Sequence, residues 1–481
     1  MTVTALPAPA AVRVTPQAPS RKWLGLFAIL SADLLNLLDS TVGNVASPAI
    51  RADLGGSMAT MQWIVAGYTL AMAVGLLTGG RLGDMFGRKR MMMVGVVGFL
   101  VASLACGLAY SPESLIAARV LQGGFGALMV PQTFGLIRDL FGDSTGKAFA
   151  ALGPVIGLAT ILGPIVAALL VEADLFGTGW RAIFLINLPL GAFALAVGWK
   201  VLPAKPPAAR GTRLDGAGAM LAAVGMTMLV VPLVQGHELG WPTWTLVMLA
   251  ASVPVLAVFV LHQLRRSRTG RTPLVELSVF AKRSYASGVA FVVAFFGAIT
   301  GFSLVVALFL QIGLKYSPLE AGLAMIGWAV GAFAGSAIGG TLMNRLGRHL
   351  LHIGLAMMTA GLVTLYGVFD TVGAALDGWD LTPALVVYGM GMGMIFVPLF
   401  DIVVGGLRDH EVGSASGMLA AFEQLGASLG VAALGTLFFS VAGSQGFLDA
   451  CMRVTLVAIA LTAVTFGLGF LLPKRARQAR H

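Results

Sequence analysis

The sequence predicts an all-α integral membrane protein, and three observations carry that prediction. Of its 481 residues, 57% are hydrophobic and only 11% charged, a balance that a water-soluble surface does not sustain. Apolar stretches of about 20 residues, long enough as helix to cross roughly 30 Å of hydrocarbon, begin near residues 24, 61, 91, 115, 148, 182, 215, 243, 286, 320, 349, 382, 412 and 452. That makes fourteen helices. The loops between them alternate in charge, as the retention of Lys and Arg on the cytoplasmic side requires. With the N-terminus inside, the inner loops carry Arg88 to Arg90, Arg138 and Lys147, Lys200 to Arg213, Arg265 to Arg283, Arg345 and Arg348, Arg408, and the tail "PKRARQAR". The outer loops carry Asp53, Glu113, Glu172, Asp174, Glu238, Glu320, Asp370, Asp377 and Asp380, with Arg51, Arg181, Lys315 and Arg453 as basic exceptions. An odd helix count would break the alternation, so both termini are expected in the cytoplasm.

The same composition excludes other classes. The net charge of +10 falls in short loop clusters and forms no stripe interleaved with aromatics, so a nucleic-acid partner is not expected. Cys106 and Cys451 lie in apolar segments without metal-ligand spacing, and neither metal nor cofactor is expected. "GDSTGKAF" fails as a phosphate loop because Phe141 holds the first glycine position and Ala148 follows Lys147, which leaves no ATP site. "GMGMGM", Gly389 to Met394, lies inside an apolar span and reads as helix packing.

An internal repeat sets the organisation. "GGRLGDMFGRKRM" after the second helix has an echo in "GGTLMNRLGRHLL" after the tenth, with Asn344 where the first copy has Asp84. Two similar halves follow. The expected units are an N-terminal tail (1–22), a six-helix half (23–203), an inserted pair, helices seven and eight, with basic flanks (204–283), a second six-helix half (284–472) and a basic tail (473–481).

The first helix carries Asp33, Asn36 and Asp39, although an Asp near a bilayer centre costs about 2.5 to 3.5 kcal/mol. A rise of about 1.5 Å per residue puts Asp33 roughly 18 Å and Asp39 roughly 9 Å from the outer edge. On the fourth helix Arg119 falls roughly 6 to 8 Å below that edge, level with Asp39. On the thirteenth, Glu423 falls roughly 16 Å from the inner edge, near the midplane as Asp33 is. Steps of about 100° keep Asp33, Asn36 and Asp39 within an arc of roughly 120°, able to face one cavity. Asp401 lies near an inner helix end and reads as interfacial.

Gly80, Asp84, Gly87 and Arg88 match a loop signature of the major facilitator superfamily, which the chain resembles. On the fifth helix, Gly153, Gly157, Thr160, Gly163 and Pro164 resemble the signature of that superfamily's antiporter branch, with Ala167 and Ala168 in place of its paired glycines. Leu38, Asp39, Thr41, Asn44, Ala46 and Pro48 resemble the first-helix pattern of its fourteen-helix drug:proton antiporters. "GWRAIFLINLPLG" and "RVLQGGFGA", with Arg119 and Gln122, extend the likeness over essentially the whole chain; Asp33 stands outside it.

The resemblance implies a major facilitator fold and no enzymatic activity. It implies proton-driven export of a lipophilic, basic antibiotic or drug across a bacterial cell membrane, by alternating access of a monomer. Asp39, Arg119 and Glu423 are then expected to couple protons, and Asp33, Asn36, Gln122 and Glu423 to line the substrate cavity. Gly80, Asp84, Gly87 and Arg88 would form a latch on the inner face. A proton-coupled importer or metabolite exporter of the same fold is the alternative.

Overall fold

The computed structural model describes residues 19–56, 58–142, 169–204, 214–236 and 239–474, with isolated positions at 148, 163, 166 and 167. The described secondary structure is helical. The first half runs α1 (Pro19–Leu54), α2 (Met58–Phe86), α3 (Arg88–Gly107) and α4 (Pro112–Phe141). It continues with α5, described at residues 169–172, and α6 (Asn187–Val201). The inserted pair is α7 (Gly216–Gln235) and α8 (Thr243–Arg268). The second half is α9 (Arg283–Leu308), α10 (Ile326–Leu346), α11 (Arg348–Val372), α12 (Thr382–Val404), α13 (Asp409–Gln445) and α14 (Phe447–Gly469).

Among the described residues, twelve spans are long and apolar enough to cross a membrane, fewer than the fourteen expected. The difference falls on α1, whose side chains from Ser40 to Val45 lie outside the described set, and on the fifth predicted helix, most of which does.

Glycine sets the spacing within each half. A Cβ on Gly79 would stand 2.1 Å from the Ala127 carbonyl oxygen, and one on Gly123 2.2 Å from that of Tyr68, so α2 and α4 touch backbone to backbone. The second half repeats this between α10 and α12, where a Cβ on Gly335 would come within 2.0 Å of Met390 O and one on Gly389 within 2.1 Å of Trp328 O. Gly391, between them, faces Gly354 O on α11 at 2.3 Å, so the alternating glycines of "GMGMGM" serve two neighbours.

The halves meet where α2 and α4 cross α12 and α13. A Cβ on Gly80 would lie 2.4 Å from Gly413 O, and one on Gly417 2.6 Å from Leu76 O. The rings of Phe134 and Phe400 sit 4.8 Å apart across the seam, and Arg138 Nη1 donates to Leu407 O at 2.9 Å. The molecule is therefore closed at this end, which also holds Gly80 to Arg88.

Candidate functional site

Four helices of the first half deliver polar side chains to one buried point. Asp39 of α1 and Arg119 of α4 form an ion pair, both side chains without exposure. Gln122, one turn on from Arg119, accepts from Arg119 Nη1 at 2.9 Å and donates through Nε2 to Asp39 Oδ1 at 2.9 Å. Asn187 of α6 donates to the same oxygen at 3.1 Å, and Ser103 of α3 accepts from Gln122 at 2.8 Å and from Asn187 at 3.1 Å. Arg119 Nε donates to Ile64 O of α2 at 3.1 Å, and its guanidinium lies 4.3 Å from the centre of the Tyr68 ring. Such a pair survives burial only when its remaining donors and acceptors are matched, as they are here.

Asp33 stands two turns along α1 in a different setting. It is half-buried and accepts a 2.8 Å hydrogen bond from Thr133 Oγ1 of α4. Glu423 of α13, also half-buried, has Asp33 as its charged neighbour. Two carboxylates from opposite halves thus stand within electrostatic reach of each other, Asp33 with the Thr133 hydroxyl as its polar partner. Asp401 is half-buried on α12.

At the closed end, the buried Asp84 carboxylate accepts the Ser414 N–H of α13 at 3.2 Å, tying the halves at the point where Gly80 lets them touch. Gly87, at φ 93°, turns the chain from α2 into α3, a backbone conformation that suits glycine. Arg88 pairs with Asp139 of α4 at 3.3 Å, and Lys89 donates to the Trp199 and Leu202 carbonyls at the end of α6, at 2.7 and 2.9 Å. The echo is used likewise: Gly347 turns at φ 49°, and Arg348 donates to Phe470 O and Leu472 O, past the end of α14, at 2.9 and 2.7 Å.

The structure thus pairs Asp39 with Arg119 and brings Glu423 within electrostatic reach of Asp33, but it moves two residues expected in the cavity. Gln122 is fully buried in the Asp39 cluster. Asn36, 4% exposed, faces α2 and α4: it accepts from Tyr68 Oη at 3.2 Å, and a Cβ on Gly126 would meet its Oδ1 at 2.3 Å. Of the fifth-helix motif, Gly153, Gly157 and Pro164 lie outside the described residues, while Gly163 is buried. Ser103, Tyr68 and Thr133 were not anticipated as site residues, nor was Asn187 beyond its place in a motif. Among the described residues no three His, Cys, Asp or Glu gather as metal ligands.

The family model of the Major Facilitator Superfamily matches residues 29–431. The "Probable actinorhodin transporter" of Streptomyces coelicolor is 49% identical over 442 residues, 91% of this chain and 76% of that one. The "Tetracenomycin C resistance and export protein" of Streptomyces glaucescens is 34% identical, covering 90% and 80% of the two chains. The "Puromycin resistance protein pur8" of Streptomyces alboniger is also 34% identical, covering 87% and 82%. Among solved structures, the human organic anion transporter MFSD10 superposes with a TM-score of 0.58 over 93% of this chain and 100% of its own; at 16% identity it supports the fold alone.

Proposed function

The chain belongs to the Major Facilitator Superfamily, and from that premise we propose that it is a fourteen-helix antiporter exporting a lipophilic, basic antibiotic or drug from a bacterial cell in exchange for protons. The relatives named for antibiotic export and resistance support the export direction. The fourteen helices are the twelve spans together with α1 and the fifth predicted helix, arranged as two six-helix halves (23–203 and 284–472) around the inserted pair, with both termini cytoplasmic.

One observation carries the mechanism: Asp33 and Glu423, carboxylates of opposite halves, stand within electrostatic reach of each other, and Asp33 takes a hydroxyl, Thr133, as its hydrogen-bond partner. Two carboxylates in low dielectric share charge poorly, so one holds a proton until a substrate cation arrives in its place. Drug and proton then compete for one locus, which is the requirement for exchange. The Asp39–Arg119 pair, joined to Gln122, Asn187 and Ser103, braces helices one, three, four and six. Asp84 and Gly80 latch the inner face in the state described above. The two halves rocking about the central site complete alternating access.

Drug-induced proton release from everted vesicles containing the full chain tests the reading, alongside drug susceptibility of a pump-deficient host. Resistance without proton movement would remove the antiport mechanism; neither resistance nor proton movement across a broad compound panel would remove the export reading.

A further inference from the structure

The inserted pair α7 and α8 sits between the halves, packing on α2 of the first and α13 of the second. Among the described residues, its polar ties go one way. At the closed end, the segment after α8 is sewn to the second half: Glu276 N–H donates to Ser414 Oγ at 3.0 Å, and Lys282 Nζ donates to Gly406 O at 3.2 Å and pairs with Glu411.

The same segment is fixed to the pair itself. Gln263 Oε1 of α8 accepts Leu274 N–H at 2.7 Å, Arg266 donates to Thr272 O at 3.1 and 3.2 Å, and Leu274, Val275 and Val279 are fully buried. Gln263 Nε2 also reaches Asp215, the N-cap of α7, at 3.0 Å, so both helices share the anchor. At the opposite end Trp241 Nε1 donates to Thr436 Oγ1 of α13 at 3.1 Å. Trp241 holds φ at 56°, a costly conformation for a bulky residue, with its ring against Gly236.

Toward the first half the contact is of another kind. Among the described residues, no hydrogen bond joins the pair or its following segment to α1–α6, and Glu276 carries the same charge as Asp84 of α2, within electrostatic reach of it. The α2–α7 seam holds a small crevice of about 10 Å³ lined by Trp63, Ala66, Leu70, Val230, Val231 and Gln235. Between helices in lipid, apolar contact has no hydrophobic driving force, because lipid tails replace it at little cost, whereas each hydrogen bond holds about 1 kcal/mol.

We propose that α7 and α8 travel with the C-terminal half as one body and slide along α2 when the halves rock, with Ser414 and Thr436 as the positioning residues at the two ends. Ser414 then has two offices: its N–H latches Asp84 of the first half, while its hydroxyl holds the inserted pair to the second. The inference takes only the rocking motion from the transport reading.

The test uses spin-label distances in the full chain in lipid nanodiscs, with cysteines at exposed positions by Arg90→Cys on α3, Arg268→Cys on α8 and Arg345→Cys on α10; the native Cys106 and Cys451 are buried. Expected are a shift between acidic and neutral pH for the 90–345 and 90–268 pairs, and one narrow, unshifted distance for 268–345. A shifting 268–345 distance beside a fixed 90–268 distance overturns the proposal. A chain in which 90–345 never shifts counts against the transport reading instead, and a second comparison still decides this one. Ser414→Ala with Thr436→Val should broaden 268–345, while Ser414→Thr with Thr436→Ser restores it. An unbroadened 268–345 distance in the first of these overturns the proposal in any state.

Discussion

Replacing Arg119 by alanine strikes the most densely bonded point of the molecule. Among the described residues, the Asp39 carboxylate would keep Gln122 and Asn187 as donors, in a site with 1% exposure. Leaving a buried charge uncompensated costs about 3–5 kcal/mol. The bond from Arg119 Nε to Ile64 O contributes about 1 kcal/mol more. The expected loss is therefore on the order of 5 kcal/mol. Removing the charge along with its partner separates folding from coupling: Asp39→Asn with Arg119→Gln leaves polar groups that can still bond each other. That double variant should lose only about 1–2 kcal/mol, roughly 3 kcal/mol less than Arg119→Ala alone, because no charge is left unpaired. Equilibrium unfolding of the purified chain in mixed micelles measures both values. Proton release on adding drug to vesicles should be lost in the double variant although it folds. Arg119→Ala within about 1 kcal/mol of the parent chain, or a double variant no better than the single, would refute the energetic reasoning; proton release surviving in the folded double variant would remove Asp39 from coupling.

Gly80→Val would drive a side chain into Gly413 O, 2.4 Å from its Cβ, so the closed face should stay open and transport stop while the chain still inserts; cysteine accessibility from that face checks this. Asp33→Asn should lower resistance to basic members of a drug class and spare neutral ones of equal lipophilicity, read as paired dose-response curves at matched expression; equal loss for both would assign Asp33 to coupling or folding. Burial pushes the Asp215 carboxyl up, but the Gly218 N–H, His262, Gln263 and Arg266 together hold it below the usual carboxylate range. Its stabilisation is thus present at neutral pH and fades as pH falls through that lowered value, below about 4. Asp215→Ala should cost about 1 kcal/mol by unseating the α7 cap, seen as faster amide exchange in its first turn.

What the sequence could and could not place follows from the geometry of helices in lipid. Depth is arithmetic: a constant rise per residue put Asp39 level with Arg119, its ion-pair partner, and Asp33 level with Glu423, which lies within electrostatic reach of it. Rotation is not, because an arc of 120° on α1 says nothing of which neighbour stands opposite each part of it. Asn36 accordingly faces Tyr68 rather than open space, and Gln122 serves Asp39. Small hydroxyls were illegible for a related reason. In an apolar helix such a group ordinarily bonds the carbonyl one turn back, as Thr455, Thr462 and Thr465 do here. Nothing in their sequence context separates those from Thr133, which reaches Asp33, or Ser103, which joins Gln122 to Asn187. The run after α8 was read for its arginines, and the buried Leu274, Val275 and Val279 between them went unremarked.

The two acids of α1 show why one helix carries both. Asp39 accepts from three side chains, and the donors are themselves bonded onward to Ser103 and Ile64, so changing its charge disturbs every member of the set. A group so placed resists exchange and gives α1, α3, α4 and α6 a fixed geometry. Asp33 has one hydroxyl partner and lies within electrostatic reach of a carboxylate on the other half, so gaining or losing a proton there disturbs few bonds but changes the charge across the seam. The brace must not yield when the seam opens, and the exchanging group must. Two turns of one rigid helix separate them, which lets α1 carry a change at the cavity to the braced cluster without either role compromising the other.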